Sequence, residues 1–309
     1  MMRDVISTEA LSRSFGSVKA VDRVSLTVRE GEMFGIVGPD GAGKTTLIRL
    51  LCGILLPSSG TASVLGKDLL RQADEVKREI GYLSQRFTLY GDLTVDENIE
   101  FFAEINGVKD YGERREQLLE FTRLTPFRAR LSEQLSGGMK QKLALACTLV
   151  HTPRIIFLDE PTTGVDPVSR RDFWKILQSL IHQGITVVMT TPYLDEAERC
   201  TRVAFMNHGS ILHVAPPAEL KMLMKGTVVE ISCDRVRDGF KILKECRPDV
   251  EVQAFGDRLN VLVQDARRDV TAITQLLGDA GIRVISTRVV PPTLENVFIS
   301  LLTHTEGAA

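Results

Sequence analysis

One run of residues near the start of the chain has the make-up to hold a row of phosphates. Gly38-Pro39-Asp40-Gly41-Ala42-Gly43-Lys44-Thr45, followed by Thr46, carries the spacing of a phosphate-binding loop. Its glycines let backbone N–H groups close around anionic oxygens, and the start of a helix adds a dipole that favours anions. Lys44 would meet the β and γ phosphates of a nucleotide, and the Thr45 hydroxyl would hold Mg²⁺. A second cluster is Ile155-Ile156-Phe157-Leu158-Asp159-Glu160, an apolar run that ends in two adjacent carboxylates. Asp159 suits a water-mediated hold on Mg²⁺, and Glu160 suits polarising an attacking water. Acidic residues also solubilise strand ends, and it is the phosphate loop upstream that gives this pair a chemical meaning. The third cluster, Leu135-Ser136-Gly137-Gly138-Met139-Lys140-Gln141, reads as a backbone anion site before a helix or as an ordinary helix start capped by Ser136.

These residues need elements to hold them. Met33 to Val37 is a short apolar run that suits a strand buried on both faces, ending where the loop begins. A helix is predicted over residues 44–55. Ile155 to Leu158 and Ile185 to Thr190 read as further buried strands, with a helix over 169–183 between them. Charged helices are predicted over 94–125 and another over about 138–151. Before all of these, Val24, Leu26 and Val28 alternate with Ser25 and Thr27, and Glu30-Gly31 reads as a turn. The pattern is an α/β core with a helical insertion at about 86–150. Pro216-Pro217 and Gly226 then punctuate the chain, and a βαββαβ order follows, which is the ferredoxin-like signature. Two domains are expected, a nucleotide-binding one over 1–220 and a small α+β one over 227–305. A last helix carries Leu294, Val297, Phe298, Leu301 and Leu302 on one stripe, expected to pack within a dimer.

Composition bounds the function classes. The 309 residues are 43% hydrophobic and 25% charged, as in an ordinary globular protein. Lys plus Arg is 38 and Asp plus Glu is 40, a net charge of −2 that argues against a nucleic-acid partner held by phosphate contacts. The five cysteines show no metal-ligand or redox spacing and read as reduced thiols. No apolar run reaches the ~20 residues that span a bilayer, so the chain is not expected to cross a membrane by itself.

Taken together, the motifs resemble an ATP-binding cassette, the ATPase subunit of an ABC transporter. Leu135-Ser136-Gly137-Gly138 matches that family's signature motif, and the motifs together cover about residues 4–220. The resemblance implies a RecA-like P-loop core with an antiparallel β subdomain and a helical insertion. It implies two cassettes sandwiching ATP, each nucleotide lying between one chain's phosphate loop and the other chain's Ser136, Gly137 and Gly138. It also implies that Gln85 touches Mg²⁺ and faces a membrane subunit, that Phe15 stacks on adenine, and that Gly164-Val165-Asp166 lies at the dimer seam. Read from the residues alone, Phe15 is equally a core aromatic. The tail Pro291-Pro292-Thr293-Leu294-Glu295-Asn296-Val297-Phe298 resembles the closing motif of drug-resistance and type-two exporter ATPases. The phosphate loop and residues 140–149 are similar to the first cassette of YbhF-type tandem efflux ATPases. Membrane permease subunits, a second cassette, and a peripheral place on the cytoplasmic side of the inner membrane follow as expectations.

One position departs from the family pattern. A histidine that bonds the γ-phosphate is expected before Tyr193-Leu194-Asp195-Glu196-Ala197, and Pro192 stands there instead. Proline offers neither a side-chain donor nor a backbone N–H. The chain's own ATP site is therefore expected to bind well and hydrolyse slowly, next to a different, complete cassette. The alternatives are a soluble non-transport ABC ATPase and a nucleotide-sensing regulatory cassette.

Overall fold

Runs with every residue buried build the centre of the molecule. Strands Met33–Val37, Ile155–Asp159 and Thr186–Thr191 have no exposed position, as parallel strands covered on both faces require. The computed structural model describes residues 3–85 and 89–306. The chain divides into two compact units, Met1–Val214 and Ala215–Ala309.

In the first unit a six-stranded sheet runs in the order Ser210–Ala215, Arg202–Asn207, Met33–Val37, Thr186–Thr191, Ile155–Asp159, Ile80–Leu83. The five strands after Ser210–Ala215 in that order pair in parallel. The carboxyl ends of all five therefore open on one edge, and the loops that follow them are neighbours whatever their distance in sequence. A second sheet of four strands is antiparallel and begins with the hairpin Asp4–Phe15 and Val18–Arg29. There Val24, Leu26 and Val28 are buried while Ser25, Thr27 and Arg29 are exposed, so the alternation in sequence is the alternation of the pleat.

The helix after the phosphate loop is Lys44–Leu51, shorter than the predicted 44–55. Gly53 takes φ +66°, and the Ile54 and Leu55 amides both return to the Arg49 carbonyl at 2.9 and 3.1 Å, which closes the end. The predicted helical stretch 94–125 is two helices, Val95–Ile105 and Gly112–Thr122, parted near Gly107 at φ +67°. The first starts with a reciprocal cap between Thr94 and Glu97. With Gly137–Leu149 they form the helical insertion, whose expected start at 86 lies outside the described residues. No helix among the described residues is long and apolar enough to cross a membrane.

The second unit contains strands Thr227–Cys233, Glu251–Phe255, Arg258–Val263 and Val284–Val290 with helices Val236–Cys246 and Ala266–Asp279 between them. Its sheet is antiparallel throughout, with the first strand paired between the third and the fourth. That is the ferredoxin-like arrangement. Ile231, Leu243, Leu259, Val261, Ile273 and Leu277 form its core with no exposed surface. The last helix, Leu294–Glu306, corrects one expectation. Leu294, Val297 and Phe298 are already buried within this unit, where the helix contacts Pro217–Lys221 and Glu251–Phe255, so they are not held back for a partner. Asn296 and Gln253 pin it by two hydrogen bonds, 2.8 and 3.0 Å, a satisfied polar pair under an apolar stripe.

Lys225 and Gly226 are exposed and lie before the first strand of the second unit. Limited trypsinolysis is expected to cut between residues 215 and 227 and to leave two stable fragments. Cuts scattered through the tail with this junction intact would count against independent folding.

Candidate nucleotide site

The phosphate loop follows strand Met33–Val37, and its shape is dictated by close backbone packing. A Cβ at Gly38 would lie 2.0 Å from the Met206 carbonyl oxygen, and one at Gly43 would lie 2.0 Å from that of Ala20. Gly43 also takes φ +103° and caps the helix Lys44–Leu51, which has no acidic residue in its first turn to offset the dipole. Gly41, at φ +80°, has nothing within 4 Å of where a Cβ would be. The loop is clamped at both ends and open in its middle. The hairpin tip at Gly209 adds to the clamp by donating its amide to the Ala42 carbonyl at 2.9 Å.

Lys44 is 4% exposed and spends its charge locally. Nζ donates to the Gly38 and Pro39 carbonyls at 2.8 and 3.0 Å and pairs with Glu160 Oε1 at 3.3 Å. The other carboxylate oxygen of Glu160 accepts from Gln85 Nε2 at 2.9 Å. Thr45 Oγ1 donates to Asp159 Oδ1 at 3.0 Å. Residues from distant parts of the sequence (44 and 45, 85, 159 and 160) thus meet at one place, as the sequence reading expects. They line a cleft of about 460 Å³ with Val18, Lys19, Ala20, Asp40, Gly41, Gly43, Thr46 and His208, except that Asp159 stands behind Thr45. That volume is within the range of ordinary small-molecule sites. The donor set fits a magnesium nucleotide: a lysine and loop amides for phosphate, and a hydroxyl, a carboxylate and an amide oxygen for a hard cation.

Asp159 has no exposed surface and is served by several donors. Besides Thr45, Thr190 Oγ1 donates to Oδ1 at 2.7 Å, and the Tyr82 hydroxyl is 3.5 Å from Oδ2. Burial raises the Tyr82 pKa above its ordinary value, and the hydrogen bond to Arg49 pulls it back only in part, so the hydroxyl keeps its proton. These neighbours were invisible in the sequence. The only signal was a threonine at the end of a buried strand beside the strand of Asp159.

Phe15 ends its strand half-exposed, its ring under the Arg13 guanidinium at 4.8 Å, and it does not line the cleft. Ser136, Gly137 and Gly138 do not line it either. Ser136 caps the helix Gly137–Leu149 by accepting from the Met139 amide at 3.3 Å. A Cβ at Gly138 would lie 2.4 Å from the Ser169 side chain, so the signature packs against the helix that Asp166 caps. The Ser169 side chain and amide together hold the Asp166 carboxyl below the usual carboxylate range.

Pro192 is half-buried, in a segment tied down on both sides. Glu196, 1% exposed, accepts from Thr162 Oγ1 at 2.6 Å and from Thr191 Oγ1 at 2.8 Å, with Arg170 Nε 3.6 Å away. The Arg170 guanidinium also lies over the Tyr193 ring at 5.1 Å.

Gly38→Ala is expected to cost about 3 kcal/mol or more of stability, because a backbone oxygen has to move. Gly41→Ala should cost only the strain of a left-handed alanine, about 1 to 2 kcal/mol. Thermal denaturation of the two variants checks the order, and equal losses would contradict the clamped-end description.

Comparison with known proteins gives the same answer as the geometry. A family model described as "ABC transporter" matches residues 21–163. YbhF of Escherichia coli (strain K12), named "Probable multidrug ABC transporter ATP-binding protein", is 42% identical over 219 residues. That match takes in 70% of this chain, which spans only 38% of YbhF's length. The daunorubicin/doxorubicin resistance ATP-binding protein DrrA of Streptomyces peucetius is 33% identical over 306 residues. A solved bacterial ABC transporter cassette, the dimeric MJ0796, is 27% identical with a TM-score of 0.63, covering 68% of this chain and 98% of that one. Since the match to DrrA runs over 97% of this chain and 92% of DrrA, the chain belongs to the ABC transporter ATP-binding protein family.

Proposed function

We propose that this chain is the energy-coupling subunit of an exporter, binding Mg-ATP at a cassette dimer interface and coupling its hydrolysis to efflux through separate permease subunits. The observation that carries the reading is the meeting of Lys44, Thr45, Gln85 and Glu160 in one cleft at the strand ends. The names of the relatives, a multidrug transporter protein and a drug-resistance protein, support a small, apolar or amphiphilic cargo. The solved dimer supports a second cassette as partner.

Each residue has a definite task in that reading. The loop from Gly38 to Thr46 presents amides to the phosphates, and Lys44 balances charge on the β and γ groups. Thr45, Asp159 and Gln85 would hold Mg²⁺, which neutralises phosphate charge when bound. Glu160 orients and polarises the attacking water. Its contacts with Lys44 and Gln85 hold the carboxylate in the cleft where that water would sit. Ser136, Gly137 and Gly138 would close on the nucleotide held by the partner cassette. Phe15 would stack on the base.

Pro192 makes the pair asymmetric in this proposal. A homodimer would carry it in both sites. A complete partner would supply the missing histidine in its own site, completed by the signature of this chain. The segment that holds Pro192 is fastened through Glu196, so a donor from elsewhere in that segment cannot swing into its place.

Lys44→Ala is expected to weaken ATP binding at least tenfold and to abolish transport in the assembled complex, as measured by nucleotide titration and drug efflux. Unchanged affinity would remove the phosphate-loop reading. The purified chain should bind ATP yet turn it over slowly, and Pro192→His should raise its steady-state rate. Each tenfold gain corresponds to about 1.4 kcal/mol off the barrier. Brisk turnover with Pro192 in place would overturn the asymmetric model. Co-purification with a multi-helix membrane protein separates the exporter from a soluble ATPase or a nucleotide sensor.

A further inference from the structure

We infer that Thr190 is a positioning residue for the nucleotide's metal, acting through Asp159 and Glu160 at once. This rests on the ATP-binding reading and deepens it. Thr190 is fully buried at the end of its strand, next to the strand of Asp159. Its hydroxyl donates to Asp159 Oδ1 at 2.7 Å and accepts from the Glu160 amide at 2.9 Å. One oxygen therefore fixes the carboxylate of one acid and the backbone of the other.

The second of these bonds matters because Glu160 takes φ +49°, a left-handed conformation that costs a non-glycine residue about 1 to 2 kcal/mol. Such a backbone persists only where its surroundings over-determine it. The Thr190 carbonyl also accepts from the Glu160 amide, at 3.2 Å, so both polar oxygens of one residue hold the strained turn. The first bond matters because Asp159 Oδ1 also takes the Thr45 hydroxyl at 3.0 Å. Both donors converge on Oδ1, the oxygen on the side of Thr45, while Oδ2 lies 3.5 Å from the Tyr82 hydroxyl, so Thr190 holds the carboxylate oxygen nearest the hydroxyl that would ligate Mg²⁺. Without the Thr190 hydroxyl the buried carboxylate loses its shortest hydrogen bond and is held only by Thr45 at 3.0 Å and Tyr82 at 3.5 Å. The cost falls on metal-dependent affinity, and the amides and Lys44 that grip phosphate directly are untouched.

The test is titration of ATP onto the full chain by calorimetry, once with Mg²⁺ and once with EDTA. Thr190→Val keeps the branched shape and removes the hydroxyl. It is expected to lower affinity about tenfold with Mg²⁺, equivalent to about 1.4 kcal/mol, and to leave affinity in EDTA unchanged. Thr190→Ser should restore the Mg²⁺ increment. Should the valine variant fail to fold, Thr190→Ala carries the same comparison. An Mg²⁺ increment that survives loss of the hydroxyl overturns the inference, as does an equal loss in both buffers, which marks a general structural role. Absence of ATP binding by the wild-type chain in either buffer fails the underlying reading instead.

Discussion

A carboxylate with no exposed surface has to be met by donors, and Asp159 is met from three directions. Thr45 reaches it from the helix after the phosphate loop, Thr190 from the adjacent strand, and Tyr82 from the strand on the other side. Leaving a buried charged group without partners costs several kcal/mol. That cost ties together the strands Ile80–Leu83, Ile155–Asp159 and Thr186–Thr191 and the helix Lys44–Leu51. The phosphate loop, the glutamine after Leu83 and the acid at Glu160 are where they are because these elements cannot slide independently.

Much of this was legible in the residues. The glycines of the loop, the apolar strands and the acids at their end are read directly, because parallel strands covered on both faces are unbroken apolar runs. The short strand Ser59–Val64 was not, since only Ala62 and Val64 alternate as buried positions and the strand draws its place from pairing with Asp4–Phe15. One helix end slipped at Gly53, where a left-handed φ ends the run before the apolar pattern does. In the site, residue identity gave the cast and not the contacts. Nothing in Thr190-Thr191 says that consecutive hydroxyls serve different acids, yet strand alternation sends one to Asp159 and the next to Glu196. Glu196 itself sits among Asp195 and Glu198 and reads as a solvated charge run, while its carboxylate is buried.

The departure at Pro192 gains weight from its setting. A proline in a loose loop could be bypassed by a neighbouring donor. Here the residues on both sides are committed, Thr191 to Glu196 and Tyr193 to the Thr191 hydroxyl and the Arg170 face. The position of Pro192 is thus fixed by its neighbours on both sides.

The Glu196 clasp has a consequence for how such a sequence can change over time. Its carboxylate joins Thr162, Thr191 and Arg170, which together with Glu196 spread over 35 positions of the chain. Losing any one partner strands a buried charge or hydroxyl, so single substitutions at these four sites are penalised even where none touches nucleotide. Position 192 supplies none of the four side chains of the clasp. The frame around position 192 is therefore inherited as a block.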